Sequence, residues 1–330
     1  MAKATYKVRE SSAKFDQLFT TTTDKWAPKV INQWVIKYPH FAWMLSRKRT
    51  DRIDSGNQFV IPMEVEENPS GGAIDPDVGV PIDDYDPMDA ARFWPKYYAW
   101  NVRESWMQQA INSGAEARVK LISIKVEGTI NTAMKAFARH LWQGLGSTSL
   151  EMSSLSEMIP ATPKNQQTAE VGGITPSSAK PWWRSWYYSM ANRSAAGKLE
   201  SYMLDLFTDI ENEGGMTGVI FTDAPTHKTY EKNAMDFLTT DSSTKIGDAT
   251  FETIKYKGKP ILFSTYAPEG EMRFVDNDCV SFDVDPTFWM KWTPWAGVPN
   301  VPHTRIKQLT ARCQICRSKP RHLGCIANIS

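Results

Sequence analysis

The sequence predicts a mixed α+β fold organised around one long helix, and three observations predict it. From Glu116 to Gln143 the larger apolar residues Val119, Ile122, Val126, Ile130, Met134, Phe137 and Leu141 recur at steps of three and four, the period of one helix face. From Gly56 to Glu66 the period is two, with Phe59, Ile61, Met63 and Val65 on one side, which predicts a strand. From Ala195 onward, helical and strand patterns interleave in the order of a small mixed sheet with helices against it.

The long helix would span roughly 40 Å, enough to act as a spine for elements before and after it. Gly128 sits in its middle at a cost of about 1 kcal/mol relative to Ala, so a gentle bend or a close-packed neighbour is expected there.

Before the spine, the first 23 residues are polar and end in Thr20–Thr23, an extended arm. Asp24 caps a predicted helix with Pro28 in its first turn and Val30, Ile31, Trp34, Val35 and Tyr38 as its stripe. The amphipathic region continues through Phe41–Leu45 to the basic cluster Arg47, Lys48, Arg49 and Arg52. The strand at Gly56 is followed by a loop rich in Pro, Gly and Asp, from Asn68 to about Asp89, and by a second extended run, Phe93–Val102. Together they form a long protruding hairpin, and a loop that long without its own core is unusual unless something outside the subunit holds it.

After the spine, Gly144–Lys180 reads as loop with one short helix near Ser153–Met158. An aromatic cluster follows at Trp182, Trp183, Trp186, Tyr187 and Tyr188. Ala195–Glu213 is a helix with Leu199, Met203, Leu206, Phe207 and Ile210 on one face and Gly214-Gly215 as its stop. Thr217–Thr222 is a strand, Pro225–Leu238 a helix, and Lys257–Tyr266 and Glu271–Val284 are strands with turns at Pro268–Gly270 and Asp276–Asp278. A second aromatic cluster holds Phe288, Trp289, Trp292 and Trp295. Two final strands, Ile306–Cys316 and Leu323–Ile329, flank a basic turn at Arg317–Arg321.

The 330 residues suit one elaborate domain or two ordinary ones. A net charge of +1 conceals segregation: residues 1–52 carry 11 Lys and Arg against 4 acids, residues 53–91 carry 10 acids and no Lys or Arg, and residues 303–330 carry 6 Lys and Arg and no acid. Such blocks suit complementary surfaces meeting between copies. The basic arm and tail could also touch nucleic-acid phosphates, but the acidic hairpin supplies a matching surface within the same polypeptide. Thirteen Trp also suit burial between subunits. No apolar run reaches membrane-span length and the N-terminus lacks a signal-peptide core, so no membrane contact and a cytoplasmic site of synthesis are expected.

Catalytic chemistry is not visible. There is no phosphate loop, dinucleotide fingerprint, nucleophile elbow or paired-histidine metalloprotease motif. His40, His140, His227, His303 and His322 are scattered and are expected to be surface or capping residues. Cys313, Cys316, His322 and Cys325 have the residue types of a zinc knuckle. Strand alternation, however, would face Cys313 and Cys316 to opposite sides, so buried thiols without metal are the expectation, and no cofactor is expected.

The order of parts resembles the major capsid proteins of tailed double-stranded DNA bacteriophages, which share the Johnson fold. The words that look alike are GNQFVIPMEV at Gly56, ARFWPKYYAWNV at Ala91, EVGGITPSSAKPWWRSW at Glu170, KGKPILFSTY at Lys257 and the terminal LTARCQICRSKPRHLGCIANIS. The resemblance implies an N-terminal arm and helix over 1–52, an extended hairpin loop over 53–103, a peripheral domain with the spine helix over 104–180, an axial domain over 181–302 and return strands over 303–330. It implies a virion shell subunit, assembled in the host cytoplasm into pentamers and hexamers around packaged double-stranded DNA that it touches non-specifically. The early helix near Asp24 leaves no room for a cleaved scaffolding segment, so a separate scaffold protein is expected, with a portal and, as a further candidate, decoration proteins. No Lys lies between Ile53 and Pro95, which argues against the covalent crosslink that some relatives form there. The expected inter-subunit contacts are Glu64, Glu66, Glu67, Asp75, Asp77, Asp83 and Asp84 on the loop, against Arg47, Lys48, Arg49 and Arg52 on a neighbour. The competing reading is a carbohydrate- or nucleic-acid-binding protein that uses the two Trp clusters as stacking platforms.

Overall fold

The computed structural model describes residues 38–50, 57–65, 87–106, 115–144, 150–190, 198–234, 241–246, 249–299 and 301–329. The expected arm and the helix from Asp24 fall outside these residues, apart from Tyr38. Tyr38 precedes a new helix, α1 (Pro39–Ser46), in which Pro39 occupies the first turn, where its missing N–H costs nothing.

The spine is α2 (Ala115–Gln143), within one residue of the expected start. Ile122, Val126, Ile130, Met134, Phe137 and Leu141 are all buried, as their spacing requires. Gly128 is exposed and nothing lies within 4 Å of the position a Cβ would take, so no close-packed neighbour explains it.

One sheet supports the spine. Its centre is β15 (Val301–Arg317), which carries β4 (Lys96–Ser105) along one edge from Thr304 to Cys313. Along the other edge lie β14 (Ala296–Val298), β13 (Lys291–Trp292) and β12 (Val280–Val284), and β12 is flanked in parallel by β1 (Lys48–Arg49). Phe137 of α2 is the hub between helix and sheet: its ring centroid lies 5.0 Å from Tyr98, 5.3 Å from Trp100, 5.6 Å from Trp289 and 5.8 Å from Phe41.

A second sheet runs in the order β5 (Trp186–Ser189), β16 (Gly324–Ala327), β11 (Met272–Asp276), β6 (Thr217–Thr222), β10 (Lys259–Phe263) and β9 (Lys255–Tyr256). Both faces of its centre are buried. Ile220, Met272 and Phe274 pack with Leu199, Met203, Leu206 and Ile210 of α4 (Lys198–Asn212), whereas Val219, Phe221 and Val275 face the core of the spine, where Phe221 meets Trp43 at 5.2 Å and Trp142 at 5.7 Å. α4 stops where expected, at Gly214 with φ +81 and a Gly215 amide donating to the Ile210 carbonyl. Helix α5 (Ala224–Ala234) follows β6.

Several expectations are corrected. The run Phe93–Val102 is not one strand: β3 (Met88–Phe93) closes the hairpin with β2 (Phe59–Glu64), and after Pro95 the chain enters β4 in a different sheet. Pro95 lacks the N–H that a continuous ladder would need there. Glu271–Val284 divides at the expected turn near Asp276–Asp278, but β11 and β12 belong to different sheets, so that turn is a corner joining the two. The last two strands separate in the same way, β15 into the first sheet and β16 into the second. A hairpin of β7 (Asp241–Ile246) and β8 (Ala249–Thr253) occupies a stretch for which no element was expected. The short helix near Ser153 is α3 (Leu155–Met158), capped by Ser154, whose hydroxyl accepts from the Glu157 amide.

Candidate assembly surfaces

The hairpin has a buried root and an exposed outer end. Phe59 and Ile61 of β2 and Ala91 and Phe93 of β3 are buried, while Glu64 is exposed and Met88 is 65% exposed. Three contacts fix the root. The Arg92 amide donates to the Gly172 carbonyl at 2.8 Å. Val171 and Ile174 exchange backbone hydrogen bonds around Gly172-Gly173, both at positive φ, a tight turn that suits glycine. Lys180 Nζ donates to Asp89 Oδ2 at 2.7 Å, and this hydrogen bond is the main cause that holds the Asp89 carboxyl below its usual range. The Val65 amide donates to the Pro87 carbonyl at 2.8 Å, so the two strands are still paired where the described residues end. Glu66, Glu67, Asp75, Asp77, Asp83 and Asp84 lie beyond that point, outside the described residues.

The basic cluster is partly structural. Lys48 and Arg49 form the edge strand β1 on Phe282 and Asp283, and the Arg47 guanidinium lies 5.9 Å from the centroid of the Trp43 ring. Lys48 is exposed, Arg47 and Arg49 are half-buried, and Arg52 lies outside the described residues. Two members of the expected contact cluster, Lys48 and Arg49, thus also form the rim of the first sheet.

Apolar surface is left uncovered around the spine and beside the hairpin root. Ile124 on α2 is 57% exposed and Trp94, at the break between β3 and β4, is 58% exposed. A groove of about 550 Å³ runs between α2 and β4, lined by Trp100, Arg103, Lys125, Gly128 and Thr132 among others. A second, of about 760 Å³, lies between Phe93, Trp94, Gly172 and Gln314.

The aromatic clusters do not form stacking platforms. Trp183 is buried, donates its indole N–H to the Val171 carbonyl at 3.0 Å and lies under Arg317. Trp182, Trp289, Trp292 and Trp295 pack against the main core, and Lys164 covers the Trp186 ring at 3.5 Å.

The histidines and thiols also take structural places. His40, expected at the surface, is buried beside Ser264 and Trp142, and burial pushes its pKa down to about 4. His140 lies 3.1 Å from the Tyr98 hydroxyl and 3.4 Å from Glu151. His227 lies against Phe263 and His303 against Trp106. The residues of the zinc-like motif are not gathered. Cys313 and Cys316 are buried in the first sheet, Cys325 is buried in the second, and burial raises the Cys325 thiol to about 12. His322 instead meets Asp276 and Cys279, a grouping that sequence reasoning missed because 43 residues separate Cys279 from His322.

No family profile and no curated protein matches the sequence. Solved structures do. The capsid asymmetric unit of cyanophage A-1(L) superposes with a TM-score of 0.67 at 15% identity, over 88% of this chain and 92% of that one. This is the Johnson fold of phage capsid proteins. The capsid of a native GTA particle matches with a TM-score of 0.57 at 12% identity, over 88% and 90% of the two chains. The holo-SrpI encapsulin complex of Synechococcus elongatus shares the Johnson fold with this chain at a TM-score of 0.54 and 10% identity, over 88% of each.

Proposed function

We propose that the chain is the shell subunit of a tailed-phage head, structural rather than catalytic, assembling into pentamers and hexamers around packaged double-stranded DNA. The observation that carries this reading is the end-to-end likeness to a subunit solved within a capsid, 88% of this chain against 92% of the cyanophage one. The uncovered apolar surface at Met88, Trp94 and Ile124 supports it, because such surface is costly on a solitary protein. In this reading the spine and first sheet form the peripheral domain, and the second sheet with α4 and α5 forms the axial domain. The loop acids Glu66, Glu67, Asp75, Asp77, Asp83 and Asp84 meet Arg47, Lys48, Arg49 and Arg52 of a neighbouring copy. A separate scaffold protein, a portal and decoration proteins complete the particle, which forms in the host cytoplasm. Negative-stain micrographs of the expressed chain test the proposal: rings or closed shells are expected, and a stable monomer at high concentration overturns it.

A further inference from the structure

At the corner where β11 hands over to β12, three potential ligands from separate parts of the chain converge. His322 Nδ1 lies 3.3 Å from Asp276 Oδ2 and 3.5 Å from Cys279 Sγ, and one ligand atom from each residue falls within 4.8 Å of the others. Asp276 and Cys279 are buried and His322 is half-buried.

The hydrogen bonds around the ring fix what Nδ1 offers. His322 Nε2 lies 3.1 Å from the Glu213 carbonyl oxygen, which can only accept, so Nε2 carries the proton. Nδ1 then faces the Asp276 carboxylate oxygen and the Cys279 sulfur. The place between them suits a proton on Nδ1, which makes an ion pair with Asp276, or a metal ion that replaces that proton. The spacing matches a metal ion: tetrahedral zinc bonds imply ligand separations of about 3.4 Å for nitrogen and oxygen and about 3.6 Å for nitrogen and sulfur. A backbone carbonyl on the far nitrogen of a metal-bound histidine is the usual outer-shell arrangement.

The surrounding chain holds the other ligand as firmly. Asp276 Oδ1 accepts from the Asp278 amide at 3.0 Å and Oδ2 accepts from the Met216 amide at 3.1 Å. Gly215 backs the imidazole so closely that a Cβ there would lie 2.7 Å from His322 Cγ. The ring therefore has little room to turn away.

We propose that Asp276, Cys279 and His322 bind one divalent transition-metal ion of zinc's character, with solvent as fourth ligand. The Cys279 thiol releases its proton to solvent as the Sγ–metal bond forms. The ion ties the β11–β12 corner to the turn between β15 and β16, so the two short passages between the sheets are held by one clip. Mixed sulfur, nitrogen and oxygen donors favour zinc or cobalt over magnesium or calcium.

The test is cobalt titration of the full-length chain after chelation. One equivalent of Co²⁺ is expected to give visible d–d bands and a near-ultraviolet thiolate-to-cobalt charge-transfer band, both displaced by Zn²⁺. Cys279→Ser is expected to abolish the charge-transfer band, and His322→Gln to weaken binding at least about ten-fold. Cys313→Ala and Cys325→Ala are expected to leave both signals intact. Zinc should also raise the melting temperature of the unaltered chain, but not that of the Cys279→Ser chain. No charge-transfer band in the unaltered chain overturns the proposal, and so does a band that survives in Cys279→Ser. Should the Cys279→Ser chain not fold, loss of the band in Cys313→Ala or Cys325→Ala still overturns it.

Discussion

Gly172 lies directly beneath Phe93: a Cβ at Gly172 would sit 2.8 Å from Phe93 Cζ, and its φ of +64 is one that side chains disfavour. This contact seats the hairpin root on the body. Gly172→Ala is expected to destabilise the subunit by about 1–3 kcal/mol through combined backbone strain and overpacking. Gly173, at φ +76 with nothing within 4 Å of its Cβ position, separates the two causes, so Gly173→Ala should cost only about 1 kcal/mol. Urea unfolding of both variants checks the difference; equal losses would contradict the packing account.

Gly128 offers the opposite case. It is exposed in mid-helix with an ordinary φ and free space around it, so Gly128→Ala should stabilise the isolated subunit by about 1 kcal/mol. If the groove against β4 is covered by another copy, the same change should not improve assembly. Denaturation midpoints and assembly yields, measured on one preparation, read both effects.

His40 makes the subunit acid-sensitive. Its ordinary pKa of 6.5 falls to about 4 in the folded chain, with burial the largest cause and a backbone bond to Ala138 opposing it. Between those values the unfolded chain binds a proton that the folded chain does not. The contribution to stability is therefore complete above pH 6.5 and declines as the pH falls toward 4, by about 3 kcal/mol in all. His40→Gln should flatten this part of the stability–pH curve, as followed by thermal unfolding from pH 7 to 4.

Arg317 is buried, with its guanidinium donating to the carbonyls of Met158 and Trp183 and its Cζ 4.7 Å from the centroid of the Trp183 ring. It joins the end of β15 to α3 and to the turn before β5. Arg317→Met leaves two buried carbonyls unpaired and should cost about 2–4 kcal/mol. Arg317→Lys should recover little of this, because an ammonium lacks the planar fork that reaches both oxygens. Chemical denaturation of the two variants decides.

The parts of the fold that were legible in the sequence are those with one uninterrupted period. The spine shows one phase from Ile122 to Leu141, and α4 one from Leu199 to Ile210, because each packs a single face on a single core. What was missed lies where the chain changes sheet. The aromatic run around Pro95 hides a boundary because strands on either side use the same residue types, and only the missing N–H marks it. The turn between β11 and β12 was legible at Asp276–Asp278, but that it joins two sheets was not, because both strands are buried on both faces. The basic block was legible as charge, but that Lys48 and Arg49 also serve as a strand depends on β12, more than 230 residues away. The Asp276, Cys279 and His322 cluster had no local signal beyond an acid and a thiol three residues apart.

The charge blocks imply that assembly weakens with salt. If the acidic loop docks on basic residues of a neighbour, raising ionic strength toward 1 M, where the screening length shrinks to about 3 Å, should slow or reverse assembly without unfolding the subunit. Light scattering with circular dichroism on the same samples separates the two.

The most direct test removes the loop. Static light scattering should compare the intact chain with a chain lacking Asn68–Asp86, each first shown to be folded by circular dichroism. Particles of many copies from the intact chain and a folded, unassembled subunit from the shortened one are the predicted result; equal assembly by both, or a stable monomer from the intact chain, would contradict it.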